Sequence, residues 1–193
     1  MVAVNSAMLP LGTAAPEFDL PDGTGRVWSR AALVEGAPAT VIVFLSNHCP
    51  SVRHIARELG LVAGRFARKG VAVIGVMPND IDQYPDDAPA EMVRFARSVG
   101  WDFPYLYDET QAVARAYRAA CTPDFYAFDA ASRLVYRGQF DAARPSNQVP
   151  VTGGDLRAAI DAVLAGDRPS GSQRPSIGCS IKWKPGTEPE WYR

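Results

Sequence analysis

A short apolar stretch that leads into a Cys-Pro pair constrains this chain more than any other feature of its sequence. Residues 41–45 form an unbroken apolar run rich in β-branched side chains, which predicts a buried strand. From Val52 onward, apolar residues recur at alternating steps of three and four, the period of an amphipathic helix. Pro50 fits the first turn of that helix, because its missing N–H would have no partner there. The pattern therefore places Cys49 where a buried strand passes into a helix.

The predicted position of Cys49 favours a reactive thiolate. The first N–H groups of a helix lack partners and carry partial positive charge. They stabilise a thiolate and lower the pKa of a thiol from about 8.5 to about 4–7. His48 and Arg53 are candidates for further positive charge. We predict that Cys49 is a nucleophile, the alternative being a structural cysteine that fills an apolar hole.

Composition and charge exclude several classes of function. The chain has 193 residues, 47% of them hydrophobic, and a formal net charge of -1, which offers no basic surface to nucleic acid. Its longest apolar runs are far too short to span a membrane.

The first ten residues lack the basic and apolar regions of a signal peptide, and three cysteines do not make a secreted disulfide framework. A cytoplasmic protein is expected, and no cofactor is expected because nucleotide-binding glycine patterns are missing.

The remaining segments predict alternating strands and helices. A second buried strand over residues 71–77 follows the helix, so the two strands should be parallel. Further strands are expected over residues 103–107, 125–128 and 134–138, the last two antiparallel. Further helices are expected over residues 91–99, over about ten residues after Asp108, and over 156–164 with a capping box at Thr152 and Asp155.

The two ends of the chain and one acidic segment receive simpler predictions. Residues 1–15 are expected to form a loose arm, followed by a β-hairpin over residues 15–28. The acidic, proline-containing residues 80–87 are expected to be a solvated loop. Residues 1–166 are predicted to form one domain, and residues 167–193 an extension packed on it, because they carry too many apolar groups for a free tail. Their aromatic residues would cover the protomer's own surface or that of a second copy in a homodimer.

The order of elements and four short motifs resemble the thioredoxin-like redoxins. The motifs are Asn47-His-Cys-Pro, Cys121-Thr-Pro-Asp-Phe, Tyr136-Arg-Gly and Gly178-Cys-Ser-Ile-Lys-Trp. They resemble an uncharacterised bacterial thioredoxin-like subgroup of the alkyl hydroperoxide reductase and thiol-specific antioxidant superfamily. The resemblance implies an α/β, thioredoxin-like fold: a central mixed β-sheet flanked by helices, with an N-terminal β-hairpin and a C-terminal extension.

The resemblance also implies a set of site residues. Thioredoxin-like proteins have a cis-proline at the start of the strand that faces the active-site cysteine, and Pro123 occupies that place. Its backbone would bind an extended disulfide substrate beside Cys49. The substrate-binding residues are then expected to be Ser46, Asn47, His48, Pro50, Thr122 and Pro123.

The departures from the family patterns leave the resolving thiol open. Val52 stands where a Cys-x-x-Cys pair has its second cysteine, so Cys49 has no local disulfide partner. A nucleophilic cysteine still needs a second thiol to complete its cycle. We prefer Cys121, which the fold would bring near the start of the helix, and we expect a Cys49–Cys121 disulfide. Cys179, in the C-terminal extension, is the alternative.

Peroxide reduction is one alternative function. Peroxiredoxins carry a proline seven residues before the peroxidatic cysteine and a Thr or Ser three residues before it. Ile42 and Ser46 stand at those positions, so only the hydroxyl is kept. The arginine that polarises the peroxide has no counterpart at the matching position. Arg53, Arg137 or Arg144 would have to replace it.

The sequence therefore predicts a thiol–disulfide oxidoreductase that acts on a protein or small-molecule disulfide. A thiol reductant such as a thioredoxin would regenerate it. Two alternatives belong to other classes, namely a redox-silent interaction module and a metal-binding protein. Soft and imidazole ligands suited to zinc or copper would then come from His48, Cys49 and His54 with Cys121 or Cys179.

Overall fold

The computed structural model describes residues 3–192 of the chain, which form a central sheet, two smaller sheets and helices. The strands are Ala3–Asn5 (β1), Asp19–Pro21 (β2), Val27–Ser29 (β3), Ala39–Phe44 (β4), Ala72–Met77 (β5), Tyr105–Tyr107 (β6), Cys121–Thr122 (β7), Asp124–Asp129 (β8), Leu134–Gly138 (β9) and Ile177–Ser180 (β10). The helices are Arg30–Val34 (α1), Pro50–Ala67 (α2), Pro89–Val99 (α3), Ala112–Ala116 (α4) and Gly154–Leu164 (α5). No helix within this described part is long and apolar enough to cross a membrane.

The central sheet has the strand order β6-β5-β4-β8-β9. Strand β5 is parallel to both β4 and β6, whereas β8 is antiparallel to both β4 and β9. All six residues of β4 are buried, because neighbouring strands and helices cover both of its faces. The sheet is therefore mixed, and the predicted parallel pairing of the two buried strands is confirmed.

Strand β4 divides the core into two hydrophobic clusters, because successive side chains of a strand point to opposite faces. Val41 and Val43 belong to the cluster that contains the buried residues of α2, α3 and α5. Ile42 and Phe44 belong to the cluster that contains residues of α4, of the predicted hairpin β2–β3 and of the C-terminal segment. Helices and loops therefore flank the sheet on both sides.

Helix α2 follows the polar turn after β4 and begins at Pro50, with Cys49 as its N-cap residue. Its buried face consists of Val52, Ile55, Ala56, Leu59, Val62, Ala63 and Phe66, which includes the predicted apolar stripe. The predicted location of Cys49 between a buried strand and a helix is therefore observed.

Strands from both ends of the described chain form a second sheet near Cys49. Strand β10 lies between β1 and β7 and is antiparallel to both. The expected loose arm over residues 1–15 is therefore wrong for β1; residues 1 and 2 lie outside the described part. No local sequence pattern predicts the pairing of β1 with β10, because the two strands are far apart in the chain. Gly178 permits the close approach of β10 to β7, since a Cβ there would lie 2.1 Å from the Thr122 carbonyl oxygen.

Two local predictions are wrong. Helix α4 has only five residues, because the backbone has positive φ angles of 61° at Gln111 and 51° at Arg118. The expected capping box of α5 does not form, since the N-cap residue is Gly153 with φ of 64° and no side-chain cap. The carboxylate of Asp141 instead accepts hydrogen bonds from the N–H groups of Thr152 and Gly153, both at 2.7 Å.

Candidate active site

Two cysteines at the start of α2 form the centre of the candidate site. Cys49 Sγ and Cys179 Sγ lie 2.7 Å apart, and both are free thiols. Cys49 is completely buried, and Cys179 is 8% exposed. The carbonyl oxygen of Thr122, in β7, lies 3.1 Å from Cys49 Sγ. Strand β10 therefore lies over the start of α2 and places the thiol of Cys179 against that of Cys49.

The register of β10 explains why Cys179, rather than the preferred Cys121, meets Cys49. Residues paired across antiparallel strands lie on the same face, and successive residues lie on opposite faces. Cys179 is paired with Thr122, whereas Cys121 is paired with Ser180. Cys179 and Thr122 therefore both face Cys49, and Cys121 lies on the other face of this sheet. The geometry favours a Cys49–Cys179 bridge over the expected bridge to Cys121.

The surroundings of Cys49 stabilise its thiolate. A hydrogen bond from the Cys179 thiol is the main cause that lowers the pKa of Cys49 to about 6, although burial opposes the change. The Thr122 side chain and the backbone N–H groups of Val52 and Cys179 lower this pKa further. The same hydrogen bond raises the pKa of Cys179, and burial raises the pKa of Cys121. Near neutral pH the pair therefore shares one proton, with Cys49 as the thiolate.

A buried carboxylate that the sequence analysis missed organises the turn before Cys49. Asp87 is fully buried, so the prediction of a solvated loop is wrong at this position. It accepts hydrogen bonds from the backbone N–H of Asn47 at 2.6 Å, the hydroxyl of Ser46 at 3.0 Å and the side-chain amide of Asn79 at 2.7 Å. No local pattern reveals this role, because the turn lies 40 residues earlier in the chain.

His48 lies between Asp87 and Tyr84. Its Nδ1 is 2.8 Å from Asp87 Oδ2, and its ring stacks on Tyr84 with centroids 5.4 Å apart. The hydrogen bond to Asp87 is the main cause that raises the pKa of His48; the negative charge of Cys49 also raises it, while burial and Lys182 lower it. Its Nε2 is buried and has no hydrogen-bond partner among the described residues. An imidazole with one unpaired nitrogen therefore directly precedes Cys49 in the turn.

Two of the predicted substrate-binding residues hold the active-site turn together. Ser46 and Asn47 are buried. The Asn47 side chain donates to the carbonyl oxygen of Asp86 and accepts from the hydroxyl of Tyr105, both at 3.0 Å. Pro50 is exposed at the start of α2. The arrangement favours an internal, structural role for Ser46 and Asn47 rather than contact with a substrate.

The segment around Pro123 adjoins the cysteine pair from another side. The Thr122–Pro123 peptide bond is cis. Pro123 lines a small cleft together with Ser51 and Ile177. The backbone N–H of Ser51 donates a hydrogen bond to the sulfur of Cys179. This cleft therefore adjoins Cys179.

The arginines considered for a peroxidase donate hydrogen bonds to other groups of the protein. Arg53 donates to the carbonyl oxygen of Asn47 at 2.8 Å, and Arg137 donates to the side chain of Gln173 at 2.8 Å. Arg144 donates to two backbone carbonyl oxygens of its own loop, both at 2.7 Å. These hydrogen bonds occupy the guanidinium groups, which counts against a role in polarising a peroxide, although Arg144 lines the same cleft as Pro123.

The metal-binding alternative lacks support in the described structure. Among residues 3–192, no three His, Cys, Asp or Glu side chains meet in a way that could hold an ion. His54 is exposed on α2, whereas Cys49 is buried beneath β10.

Comparison with known proteins identifies the family and the fold of this chain. A family model described as the AhpC/TSA family matches residues 11–140, more than half of the chain. The crystal structure of an uncharacterised conserved protein from Geobacillus kaustophilus is 52% identical, with a TM-score of 0.93 over 96% of this chain and 98% of that one. No curated protein matches the sequence.

Two more distant structures show the fold alone. The thioredoxin domain of a thiol-disulfide oxidoreductase from Bacteroides vulgatus is 15% identical, with a TM-score of 0.58 over 77% of this chain and 96% of that one. Peroxidoxin BcpB from Mycobacterium tuberculosis is 19% identical, with a TM-score of 0.57 over 80% and 94% of the two chains. The predicted thioredoxin-like fold is therefore confirmed.

Proposed function

Since the chain belongs to the AhpC/TSA family, as its motifs predicted, we propose that it is a thiol–disulfide oxidoreductase with Cys49 as nucleophile and Cys179 as resolving thiol. The observation that carries this proposal is the distance of 2.7 Å between the two sulfur atoms. A disulfide bond is about 2.05 Å long, so a shift of roughly 0.7 Å would bring the two sulfur atoms to bonding distance once a substrate disulfide has accepted two electrons from the pair.

The proposed reaction proceeds in two exchange steps. The Cys49 thiolate attacks one sulfur of a substrate disulfide, which forms a mixed disulfide and releases the other substrate sulfur as a thiolate. The sulfur of Cys179 then attacks Cys49 Sγ, forms the Cys49–Cys179 disulfide and releases the second substrate thiolate. The substrate gains two electrons, and the cysteine pair loses them. An external thiol reductant such as a thioredoxin would restore the pair, and a reducing cytoplasm suits such a cycle.

The burial of Cys49 limits which substrates reach it. A small disulfide or a peroxide requires less displacement of β10 than a protein disulfide does. This burial favours peroxide reduction as a second candidate. The thiolate would then attack the O–O bond and become a sulfenic acid, which Cys179 would convert to the same disulfide with loss of water. The engagement of the three arginines counts against this reaction.

Mass mapping after a stoichiometric pulse of oxidised glutathione tests the proposal, and a parallel pulse of hydrogen peroxide tests the second candidate. We expect a Cys49–Cys179 bridge in the wild type and in the matched control Cys121→Ala. In Cys179→Ala, Cys49 should instead retain a glutathione adduct. Faster oxidation by peroxide than by the disulfide would select the second candidate. A bridge to Cys121, or survival of all thiols in both pulses, would reject the proposed pair.

A further inference from the structure

The proposed function leaves open how protons move in a site whose nucleophile is buried. Resting on that function, we propose that His48 is held as an imidazolium by Asp87 and donates the proton that the departing substrate thiolate takes up. Asp87 is thus a positioning residue that acts through His48. Three sets of contacts lead to this assignment.

The first set concerns the carboxylate itself. Asp87 is fully buried, and its carboxylate accepts hydrogen bonds from four residues of the described structure: Ser46, Asn47, Asn79 and His48. Burial by itself raises the pKa of Asp87, but the bonds from His48, Asn79 and the Asn47 backbone outweigh it and lower that pKa. A buried anion needs a counter-charge, and His48 is the titratable group that contacts it.

The second set concerns the ring of His48. Its Nδ1 is committed to Asp87 at 2.8 Å, and its position is further restricted by the stack on Tyr84. The remaining nitrogen, Nε2, is buried and has no hydrogen-bond partner among the described residues. An unsatisfied buried polar atom in a native site calls for an explanation. A proton-transfer role provides one, because no described residue engages Nε2, and a substrate that displaces the cover of the site would meet an unpaired nitrogen.

The third set ties this pair to the segment that carries Cys179. Asn79 donates to Asp87 at 2.7 Å, and its own side-chain oxygen accepts from the backbone N–H of Lys182 at 2.9 Å. The backbone N–H of Asp80 donates in turn to the carbonyl oxygen of Lys182 at 2.9 Å. The loop that holds Asp87 therefore contacts both the turn before Cys49 and the segment after β10. His48 belongs to that turn.

The proton balance of the reaction follows from this placement. When the Cys49 thiolate attacks a disulfide R–S–S–R′, the bond between the substrate sulfurs breaks and R′–S⁻ departs. Nε2–H of the imidazolium protonates R′–S⁻ and leaves a neutral imidazole. Cys179 then gives its proton to the imidazole as its sulfur displaces R–S⁻ from Cys49. The ring returns to the imidazolium, and the products are the protein disulfide, R′–SH and R–S⁻.

Asp87→Asn tests the role of the carboxylate, with Asp82→Asn as the matched control, because Asp82 lies exposed in the same loop. The rate of reduction of oxidised glutathione should rise with pH as Cys49 ionises and fall as His48 loses its proton. The groups that act on His48 are Asp87, Cys49 and Lys182. In Asp87→Asn we expect the alkaline limb to move to lower pH and the maximal rate to fall about tenfold or more. The control should keep both limbs.

A direct titration of His48 by NMR keeps the proposal testable if Asp87→Asn does not fold. The chain has two histidines, so His54→Gln assigns the signals. In the wild type, His48 should titrate above 6.5, the ordinary value, and in folded Asp87→Asn it should move towards that value. A wild-type His48 that titrates at or below 6.5, or an alkaline limb that does not move in folded Asp87→Asn, would overturn the proposal.

The same experiments separate this proposal from the proposed function. If oxidation produces no Cys49–Cys179 bridge, the function fails, whatever the titration of His48 shows. If the bridge forms at the same stoichiometry in Asp87→Asn while the pH profile is unchanged, the function stands and the role of His48 is rejected.

Discussion

Replacing Cys179 by alanine tests which group makes Cys49 acidic. The pKa of Cys49 falls from 9.0 to about 6, and the hydrogen bond from Cys179 is the largest cause. A difference of three units corresponds to about 4 kcal/mol between the two protonation states. A hydrogen bond to a charged group contributes about 1.5–3 kcal/mol, so its loss should raise this pKa by about 1–2 units, to about 7–8. The Thr122 side chain and the backbone N–H of Val52 should keep it below 9.0.

The assay is the rate of alkylation of Cys49 as a function of pH, with the modified peptide quantified by mass spectrometry. The midpoint of the profile reports the pKa and is insensitive to a general change in access. Cys121→Ala is the control, because Cys121 lies on the other face of the sheet, and its midpoint should stay near that of the wild type. A midpoint near 6 in Cys179→Ala would refute the hydrogen-bond explanation, as would a wild-type midpoint near 9.

Two further predictions concern stability. Gly178→Ala places a Cβ 2.1 Å from the Thr122 carbonyl oxygen. We therefore expect denaturant unfolding to show about 1–3 kcal/mol of destabilisation, and the Cys49–Cys179 bridge to form more slowly. Gly171→Ala is the control and should be neutral, because a Cβ there meets open space; equal effects of the two changes would contradict the steric argument. Burial raises the pKa of Asp124 from 3.8 to about 7, so the folded protein binds this proton more tightly than the unfolded chain. The free energy of unfolding should therefore fall as pH rises from about 4 to about 7, and Asp124→Asn should reduce this slope. An unchanged slope in the variant would show that Asp124 ionises normally.

Local patterns were sufficient to predict the centre of the fold. The buried strand and the helical stripe depend on the spacing of neighbouring apolar residues, so the parallel pair β4–β5 and the position of Cys49 followed from them. The length of α4 did not, because positive φ angles at Gln111 and Arg118 are imposed by the surrounding structure rather than by residue propensity. Strand β1 was not predicted for a different reason, since three residues are too few to show the alternation of apolar and polar side chains that marks a strand.

The sequence by itself determined that Cys49 stands at the head of a helix after a buried strand. Only the tertiary structure decided that Cys179 faces Cys49, because the two cysteines are 130 residues apart and the register of β10 sets the side on which each residue lies. A shift of that register by one residue would turn Cys179 to the other face of the sheet. The burial of Asp87 beneath the same turn is equally a tertiary property. The acidic residues near Asp87 in the sequence predict a solvent-exposed loop. Its carboxylate is stable in a buried position only because the surrounding groups donate hydrogen bonds to it.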